Sequence, residues 1–342
     1  MSQRIPFTII TGFLGAGKTT LLKRLLIAEH GHRLAVIMNE FGEISIDSEL
    51  VQDDVEDGIV EMKNGCVCCE IREDLVTGIT QLLEKRRAGT VDFDHIVMET
   101  TGLANPGPIA QTLGEGVLKE LVQLDGVVTV VDAYHAQIQL DEYQEIQEQI
   151  GVADIIVLNK IDLVDSDNLA AVQHRLAGMN TQADIHIAED CNVEPGPLLQ
   201  LSAHSLDKLE KTSHARTSDG PVVDLHRDHE NHTHLEGVHS ISIEVSEPLV
   251  HDCLMDWFTF LIIGYSDRLL RYKGILNFKD RDERIVFQGM HSLFEARSDR
   301  EWRADETRST RIVFIGKDLP EDEIRQGIQR CIAADQAVTT LS

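Results

Sequence analysis

Short apolar runs alternate with longer amphipathic stretches over the first 200 residues of the chain. The apolar runs are rich in β-branched residues and predict strands at 7–11, 34–39, 95–99, 126–132, 154–159 and 185–187. The stretches between them have helical length and spacing, at 18–29, 72–87, 108–122, 136–150 and 165–179. Continuously apolar strands separated by helices are typical of a mostly parallel sheet covered on both faces. The pattern predicts a doubly wound α/β domain over residues 1–203.

Both kinds of periodicity stop at about residue 204 and resume at about residue 238. We interpret residues 204–237, which are polar and rich in histidine, as a linker. Beyond it, the pattern predicts strands at 239–245, 270–278, 284–290 and 310–315 and helices at 248–264 and 320–333. The mixture predicts a smaller α+β domain over residues 238–342.

Composition excludes several classes of protein. The 342 residues suffice for two domains, and 42% hydrophobic with 26% charged residues is typical of soluble globular proteins. A formal net charge of -27 argues against a nucleic-acid partner, which Lys and Arg side chains normally contact. No apolar stretch is long enough to span a membrane, and the first residues show no signal-peptide pattern. We therefore expect a cytoplasmic protein.

The sequence GFLGAGKTT follows the first predicted strand and precedes the first predicted helix. It matches the phosphate-binding pattern G-x-x-x-x-G-K-[ST], in which backbone N–H groups surround the phosphates of a nucleotide. Lys18 would reach the β and γ phosphates, and the Thr19 hydroxyl would bind Mg²⁺. The alternative is a glycine-rich turn that matches by chance. The predicted nucleotide-binding residues here are Gly12, Gly15, Ala16, Gly17, Lys18, Thr19 and Thr20.

A second motif, NKID, ends the strand predicted at 154–159 and supplies Asn159, Lys160 and Asp162. A carboxylate accepts hydrogen bonds from N1–H and the exocyclic amine of guanine but faces a bare acceptor in adenine. Asp162 therefore predicts GTP over ATP, with the aliphatic part of Lys160 beside the base. The alternative is a simple helix cap.

A third motif, ETTG, ends the strand predicted at 95–99 with Glu99 and Gly102. The Glu99 carboxylate could hold a water bound to Mg²⁺, and the Gly102 amide could contact the γ-phosphate. The alternative is a surface charge at a strand end. Lys18, Thr19 and Glu99 are the residues that we expect to act in catalysis. No side chain in the three motifs is an evident catalytic base, which predicts slow hydrolysis.

The segment KNGCVCCEIRED contains Cys66, Cys68 and Cys69, half of the six cysteines in the chain. A redox pair would more typically be C-x-x-C, and inert buried thiols are unusual in a charged stretch. Thiolates at this spacing suit Zn²⁺, and a reducing compartment favours metal binding over disulfides. Glu40 and Glu43, which follow the second strand, are the expected additional ligands.

The other cysteines, Cys191, Cys253 and Cys331, are scattered, and we expect them to be core or surface thiols. The predicted linker contains the sequence HRDHENHTH. Its His229, His232 and His234 are candidates for loose binding of Zn²⁺, Co²⁺ or Ni²⁺. The alternative is a solvated polar segment.

Taken in order, GFLGAGKTTLL, NEFGE, NGCVCC, ETTGLANPGPI, DGVVTVVDA and NKID resemble the CobW-type family of P-loop GTPases and metallochaperones. The C-terminal RLLRYKGIL, VFQGMHSLF and TRIVFIGKDLPEDEI are similar to its YjiA branch. The resemblance implies a P-loop GTPase domain, slow GTP hydrolysis, transfer of Zn²⁺ or Co²⁺, and a C-terminal domain that contacts client metalloproteins.

Carried onto this chain, the family's metal residues fall on Glu43 and Cys68, with Cys66 and Cys69 beside them. The family's YjiA branch has a glutamate directly before N-E-F-G-E, whereas this chain has Met38. The metal ligands of this chain could therefore differ.

The expected function is a GTP-hydrolysing metallochaperone that couples hydrolysis to the transfer of Zn²⁺ or Co²⁺ to a client. The alternative is a metal buffer in which the nucleotide is structural or regulatory. Exposed thiols could also support a metal- or nucleotide-dependent homo-oligomer.

Overall fold

The computed structural model describes residues 4–39, 59–62, 68–201 and 237–333. The chain divides into two compact units, Met1–His234 and Leu235–Ser342. The predicted linker lies almost wholly outside the described residues, so the predicted domain limits at 203 and 237 stay predictions.

Within its described residues, the first unit contains a seven-stranded sheet in which every strand pairs in parallel, in the order β3-β2-β4-β1-β5-β6-β7. The strands are β1 (Ile5–Gly12), β2 (Leu34–Asn39), β3 (Ile59–Met62), β4 (His95–Glu99), β5 (Val122–Asp132), β6 (Ile155–Asn159) and β7 (Asp184–Ile187). The predicted parallel α/β fold is confirmed. The short strand β3 was not predicted.

The helices in the described residues of this unit connect consecutive strands. They are α1 (Lys18–Ile27), α2 (Cys68–Arg87), α3 (Gly107–Leu113), α4 (Leu118–Leu121), α5 (Ala136–Glu142), α6 (Gln144–Val152) and α7 (Ser166–Met179). Short 3₁₀ helices occupy Ile161–Leu163 and Gly196–Leu199.

Two predicted helices were wrong in extent. The helix predicted at 108–122 is two helices, because Gly114 caps α3 by donating to the carbonyl of Ala110, and Val122 already belongs to β5. The helix predicted at 136–150 is interrupted at Tyr143, whose φ of -123° and ψ of 113° are extended. Apolar spacing continues across both breaks, which explains why periodicity alone missed them.

The central strands are buried over nearly their whole length. One cluster joins Ile10, Val128 and Val157 of neighbouring strands to Leu22 and Leu25 of α1. Fully burying each such side chain contributes roughly 1.5–3 kcal/mol. This packing fixes α1 against the sheet and thereby positions the loop that leads into it.

The described part of the second unit contains a five-stranded antiparallel sheet in the order β11-β10-β9-β12-β8. Its elements are β8 (Val238–Val245), α8 (His251–Gly264), β9 (Leu269–Leu276), β10 (Glu283–Met290), β11 (Leu293–Glu301), β12 (Thr310–Lys317) and α9 (Glu321–Arg330). The predicted α+β character is confirmed.

Helices α8 and α9 pack against this sheet through one apolar cluster. The Phe258 ring of α8 stacks on Phe287 of β10 at 4.2 Å between centroids and lies 6.1 Å from Phe314 of β12. The edge strand β11 was not predicted, because its residues are polar and mostly exposed. In the described ranges, no helix is both long enough and apolar enough to cross a bilayer.

Candidate functional site

Four neighbouring strands end at one edge of the parallel sheet with polar residues or glycine. They are β4, β1, β5 and β6, and their last residues are Glu99, Gly12, Asp132 and Asn159. Because the carboxyl ends of parallel strands share one edge, these positions come together, and such an edge is the usual ligand-binding side of an open α/β sheet. The candidate site is built on this edge.

The loop from β1 to α1 packs against the end of β6 and the loop that follows β7. Gly17 precedes α1 with a φ of 114°, which strains any other residue. A Cβ atom there would lie 2.6 Å from Nδ2 of Asn159 and 2.9 Å from the sulfur of Cys191. Only glycine therefore allows both the turn and this close approach.

Lys18 and Thr19 form the first turn of α1, where backbone N–H groups and the helix dipole favour an anion. The Lys18 side chain is buried, and its Nζ donates to the carbonyl of Phe13 at 3.1 Å. The ammonium group is thus held against the loop that it follows. This places the positive charge of Lys18 beside the loop predicted to bind phosphate.

The Thr19 hydroxyl donates to Oε1 of Glu99 at 2.7 Å. Glu99 is only 6% exposed at the end of β4. A hydroxyl and a carboxylate are hard oxygen ligands, and their adjacency fits the requirements of Mg²⁺.

The ETTG segment also contacts the β1–α1 loop. A Cβ atom at Gly102 would lie 2.6 Å from the backbone nitrogen of Leu14. The buried side chain of Gln149 in α6 donates to the carbonyl of Gly102 at 3.2 Å and to that of Ala104 at 3.0 Å. Glycine at 102 is thus required for the approach, and Gln149 fixes the segment.

The side chain of Asn159 connects the phosphate loop to the loop that contains Cys191. Its Nδ2 donates to the carbonyl of Ala16 at 3.0 Å, and its Oδ1 accepts from the backbone N–H of Cys191 at 2.7 Å. Asn159 is 3% exposed, so both bonds are shielded from water. The side chain therefore supports the architecture of the site directly.

Lys160 adopts the left-handed conformation, with φ 62° and ψ 37°. Its Nζ forms a 2.7 Å ion pair with Oδ2 of Asp132, which also contacts Nδ1 of His135 at 3.0 Å. Burial raises the pKa of Asp132, but hydrogen bonds from Lys160 and His135 outweigh it, and the net pKa is lowered. Asp132 is therefore ionised at neutral pH and restrains the Lys160 side chain.

Asp162 lies in the 3₁₀ helix Ile161–Leu163, directly after the strand end, and is exposed. Its exposed position, two residues after Lys160, suits contact with the edge of a bound base. The three residues of the NKID motif thus have different environments: Asn159 buried, Lys160 ion-paired and Asp162 exposed.

Most predicted metal ligands fall outside the described residues: Glu40, Glu43, Cys66, His229, His232 and His234. Cys68 and Cys69 are the first two residues of α2. Within the described ranges, no group of three His, Cys, Asp or Glu side chains is arranged to hold a metal ion. The position of the proposed thiolate site is therefore inferred from the ends of the strands that precede its segments.

Strands β2 and β3 pair in parallel, with Asn39 opposite Met62 at their ends. The segment with Glu40 and Glu43 follows β2, and the segment with Cys66 follows β3. Both segments consequently begin side by side, at the carboxyl edge that also carries Glu99. Strand β2 adjoins β4, where Met38 lies opposite Glu99.

Met38, at the position where the resemblance leads us to expect a glutamate, is 3% exposed and belongs to the hydrophobic cluster around Val36 and Val97. A carboxylate in such surroundings would need a cation or hydrogen-bond donors. The apolar packing at position 38 suits a site whose ligands come from other positions.

Sequence reasoning missed three contributors to the site, Asp132, Gln149 and Cys191. Asp132 had a detectable signal, because it is an acidic residue at the end of an apolar strand in DGVVTVVDA. Gln149 and Cys191 had none, since both act through contacts with residues more than 30 positions away.

Comparisons with known proteins cover both units. The CobW/HypB/UreG nucleotide-binding domain matches residues 6–187, and the cobalamin synthesis protein cobW C-terminal domain matches residues 238–332. The chain is 37% identical to the zinc chaperone YjiA of Escherichia coli (strain K12), over 94% of this chain and 96% of that protein. It is 33% identical to the zinc chaperone CobW of Pseudomonas aeruginosa, over 96% and 92% of the two chains.

Among solved structures, the fold is similar to that of the Zn(II)-bound YjiA GTPase from E. coli. The TM-score is 0.73 at 32% identity, and the alignment covers 97% of this chain and all of that one.

Proposed function

Because this chain belongs to the CobW/HypB/UreG family and carries a CobW C-terminal domain, as its motifs predicted, we propose that it is a slowly hydrolysing GTPase that delivers Zn²⁺ to a client metalloprotein. Two of its relatives are named zinc chaperones, which supports Zn²⁺ as the metal that is delivered. Co²⁺ and Ni²⁺ are the other candidate metals.

In the nucleotide half of the proposal, the backbone of residues 12–17 surrounds the phosphates of GTP. Lys18 neutralises charge on the β and γ phosphates, and Asp162 accepts from the guanine edge. Thr19 and Glu99 would hold Mg²⁺, which neutralises developing charge on the phosphate oxygens. The ion pair with Asp132 restrains the Lys160 side chain, whose aliphatic part would lie along the base.

The proposed coupling between the nucleotide and the metal rests on one observation, which is that their segments share the carboxyl edge of the parallel sheet. The segments bearing Glu40, Glu43 and Cys66 leave from β2 and β3, beside the strand that ends at Glu99. Loops that contact a γ-phosphate rearrange when that phosphate leaves. A zinc ion held by these segments would consequently lose a ligand on hydrolysis.

Such coupling answers a kinetic requirement. Thiolate sites hold Zn²⁺ with apparent free energies of roughly 10 kcal/mol or more, too tightly for spontaneous release on a useful timescale. Displacing one ligand in response to hydrolysis would permit transfer. The C-terminal unit is the proposed contact for the client.

The decisive experiment measures Zn²⁺ affinity by chelator competition in three states: with a non-hydrolysable GTP analogue, with GDP and without nucleotide. We expect at least about a fivefold difference between the first two, and the same factor in nucleotide affinity with and without Zn²⁺, because linkage is reciprocal. Cys68→Ala should weaken Zn²⁺ binding and remove the nucleotide dependence. Cys253→Ser, in the other unit, is the matched control and should retain both.

Equal Zn²⁺ affinity in all three states would refute coupling and leave the alternative, a metal buffer with a structural nucleotide. GTP hydrolysis with and without Zn²⁺, in the wild type and in Cys68→Ala, tests the enzyme separately. Capture of proteins from metal-starved cells on GTP-loaded protein then identifies the client. Gel filtration with each metal and nucleotide tests the proposed oligomer.

A further inference from the structure

Two cysteines of the C-terminal unit lie in contact although 78 positions separate them in sequence. The sulfur of Cys253 is 2.6 Å from the sulfur of Cys331. Cys253 occupies the first turn of α8, and Cys331 directly follows α9. The sequence alone suggested only scattered core or surface thiols.

Backbone hydrogen bonds fix the two segments around this pair. The N–H of Val250 donates to the carbonyl of Cys331 at 2.8 Å, and that of Ala333 donates to the carbonyl of Pro248 at 2.9 Å. Leu249 and Ile332 form an antiparallel bridge between them. Main-chain contacts therefore hold together the two segments that carry these cysteines.

The separation distinguishes two chemistries for a dithiol. Zn–S bonds of about 2.3 Å in a tetrahedral site place the sulfurs roughly 3.8 Å apart. A disulfide places them about 2.0 Å apart. Two sulfurs in direct contact, with no group of three metal-binding side chains in the described ranges, favour disulfide chemistry.

We propose that Cys253 and Cys331 form a reversible disulfide that links the start of α8 to the end of α9. The co-reactant is a low-molecular-weight disulfide such as oxidised glutathione. The Cys253 thiolate attacks it, breaking its S–S bond and releasing one thiolate. The Cys331 thiolate then attacks the Cys253 sulfur, forming the intramolecular bond and releasing a second. The protons of Cys253 and Cys331 pass to the two released thiolates, so two thiols are oxidised and one disulfide is reduced.

Burial assigns the order of these steps. Cys253 is partly exposed and can meet a small oxidant, whereas Cys331 is 1% exposed. Burial and the adjacent Cys253 thiol raise the pKa of Cys331 to about 12. Closure by Cys331 becomes faster as the pH rises, because only the thiolate attacks.

The test uses the full-length protein, treated with oxidised or reduced glutathione, denatured with alkylation, and digested for mass spectrometry. We expect a linked peptide pair that contains Cys253 and Cys331 and weighs two hydrogens less than the reduced pair. Oxidation should raise the melting temperature of the C-terminal unit by at least about 5 °C, because the bond restricts a long loop in the unfolded chain. Dithiothreitol should reverse both changes.

Cys253→Ser and Cys331→Ser should each abolish the linked pair and the shift in melting temperature. The double variant Cys253→Ala/Cys331→Ala, which keeps the site apolar, serves as the folding control. Two results would overturn the proposal: a stable glutathione adduct on Cys253 without closure, or full alkylation of both cysteines after oxidation. A loss of one bound Zn²⁺ per chain in the double variant would instead assign the pair to metal binding.

Discussion

The hydroxyl of Thr19 in the first turn of α1 donates a 2.7 Å hydrogen bond to the carboxylate of Glu99 at the end of β4. These residues are 80 positions apart and belong to different motifs. Their contact joins the phosphate loop to the strand that adjoins β2, from which the proposed metal-binding segment leaves. One pair therefore connects the two halves of the proposed function.

Glu99→Gln should lower Mg²⁺-dependent GTP hydrolysis by roughly 10- to 100-fold, the range typical of groups that orient metal-bound water. The amide keeps the size of the side chain but removes its negative charge. Phosphate release under saturating GTP measures the effect, and the exposed Glu120→Gln on α4 is the control. An unchanged rate across Mg²⁺ concentrations would remove Glu99 from the proposed mechanism.

Asp162→Asn should weaken GTP binding by about 100-fold or more, because two hydrogen bonds to an ionised acceptor are lost. The new amide can donate to the 2-carbonyl of xanthine, so binding of xanthosine triphosphate should improve. Fluorescent nucleotide titration measures both affinities. Asp167→Asn, on the neighbouring helix α7, should change neither, and unaltered base preference in Asp162→Asn would contradict the assignment of guanine.

Asn159→Ala should reduce the free energy of unfolding by roughly 2–3 kcal/mol and weaken nucleotide binding as well. The change leaves the carbonyl of Ala16 and the N–H of Cys191 without their buried partner. Urea unfolding monitored by circular dichroism measures the loss. The exposed Asn168→Ala should stay within about 0.5 kcal/mol of the wild type. A similar loss of stability in both variants would show that the buried hydrogen bonds of Asn159 do not stabilise the fold.

Buried His95 should make stability depend on pH. Burial lowers its pKa from 6.5 to about 4, with smaller opposing or supporting contributions from Asp125, His32, Asp94 and His30. The unfolded chain therefore binds a proton that the folded chain does not. The contribution is fully present above about pH 6.5 and is lost as the pH falls toward 4, by up to roughly 3 kcal/mol.

Unfolding free energies of the wild type and His95→Gln between pH 7 and 4.5 test this effect. The variant should show a weaker pH dependence, since glutamine does not titrate, while the exposed His174→Gln should follow the wild type. Identical slopes in all three proteins would show that His95 does not cause the dependence.

The class of the fold and the location of its chemistry follow from the amino-acid sequence. Apolar runs such as 34–39 and 95–99 coincide with β2 and β4, because a strand buried on both faces must be continuously apolar. Once the strands are parallel, motifs that follow them must meet at one edge. The sequence therefore predicts that the phosphate loop, ETTG and NKID lie close together.

The contacts between distant segments follow only from the packing of the folded chain. Local periodicity carries no information about the restraint of Lys160 by Asp132, or about the meeting of Cys191 with Asn159. Local periodicity also cannot predict the contact between Cys253 and Cys331. That contact depends on how the start of α8 and the end of α9 pack against the sheet. Sequence patterns report which faces are buried, whereas register and packing decide which buried atoms touch.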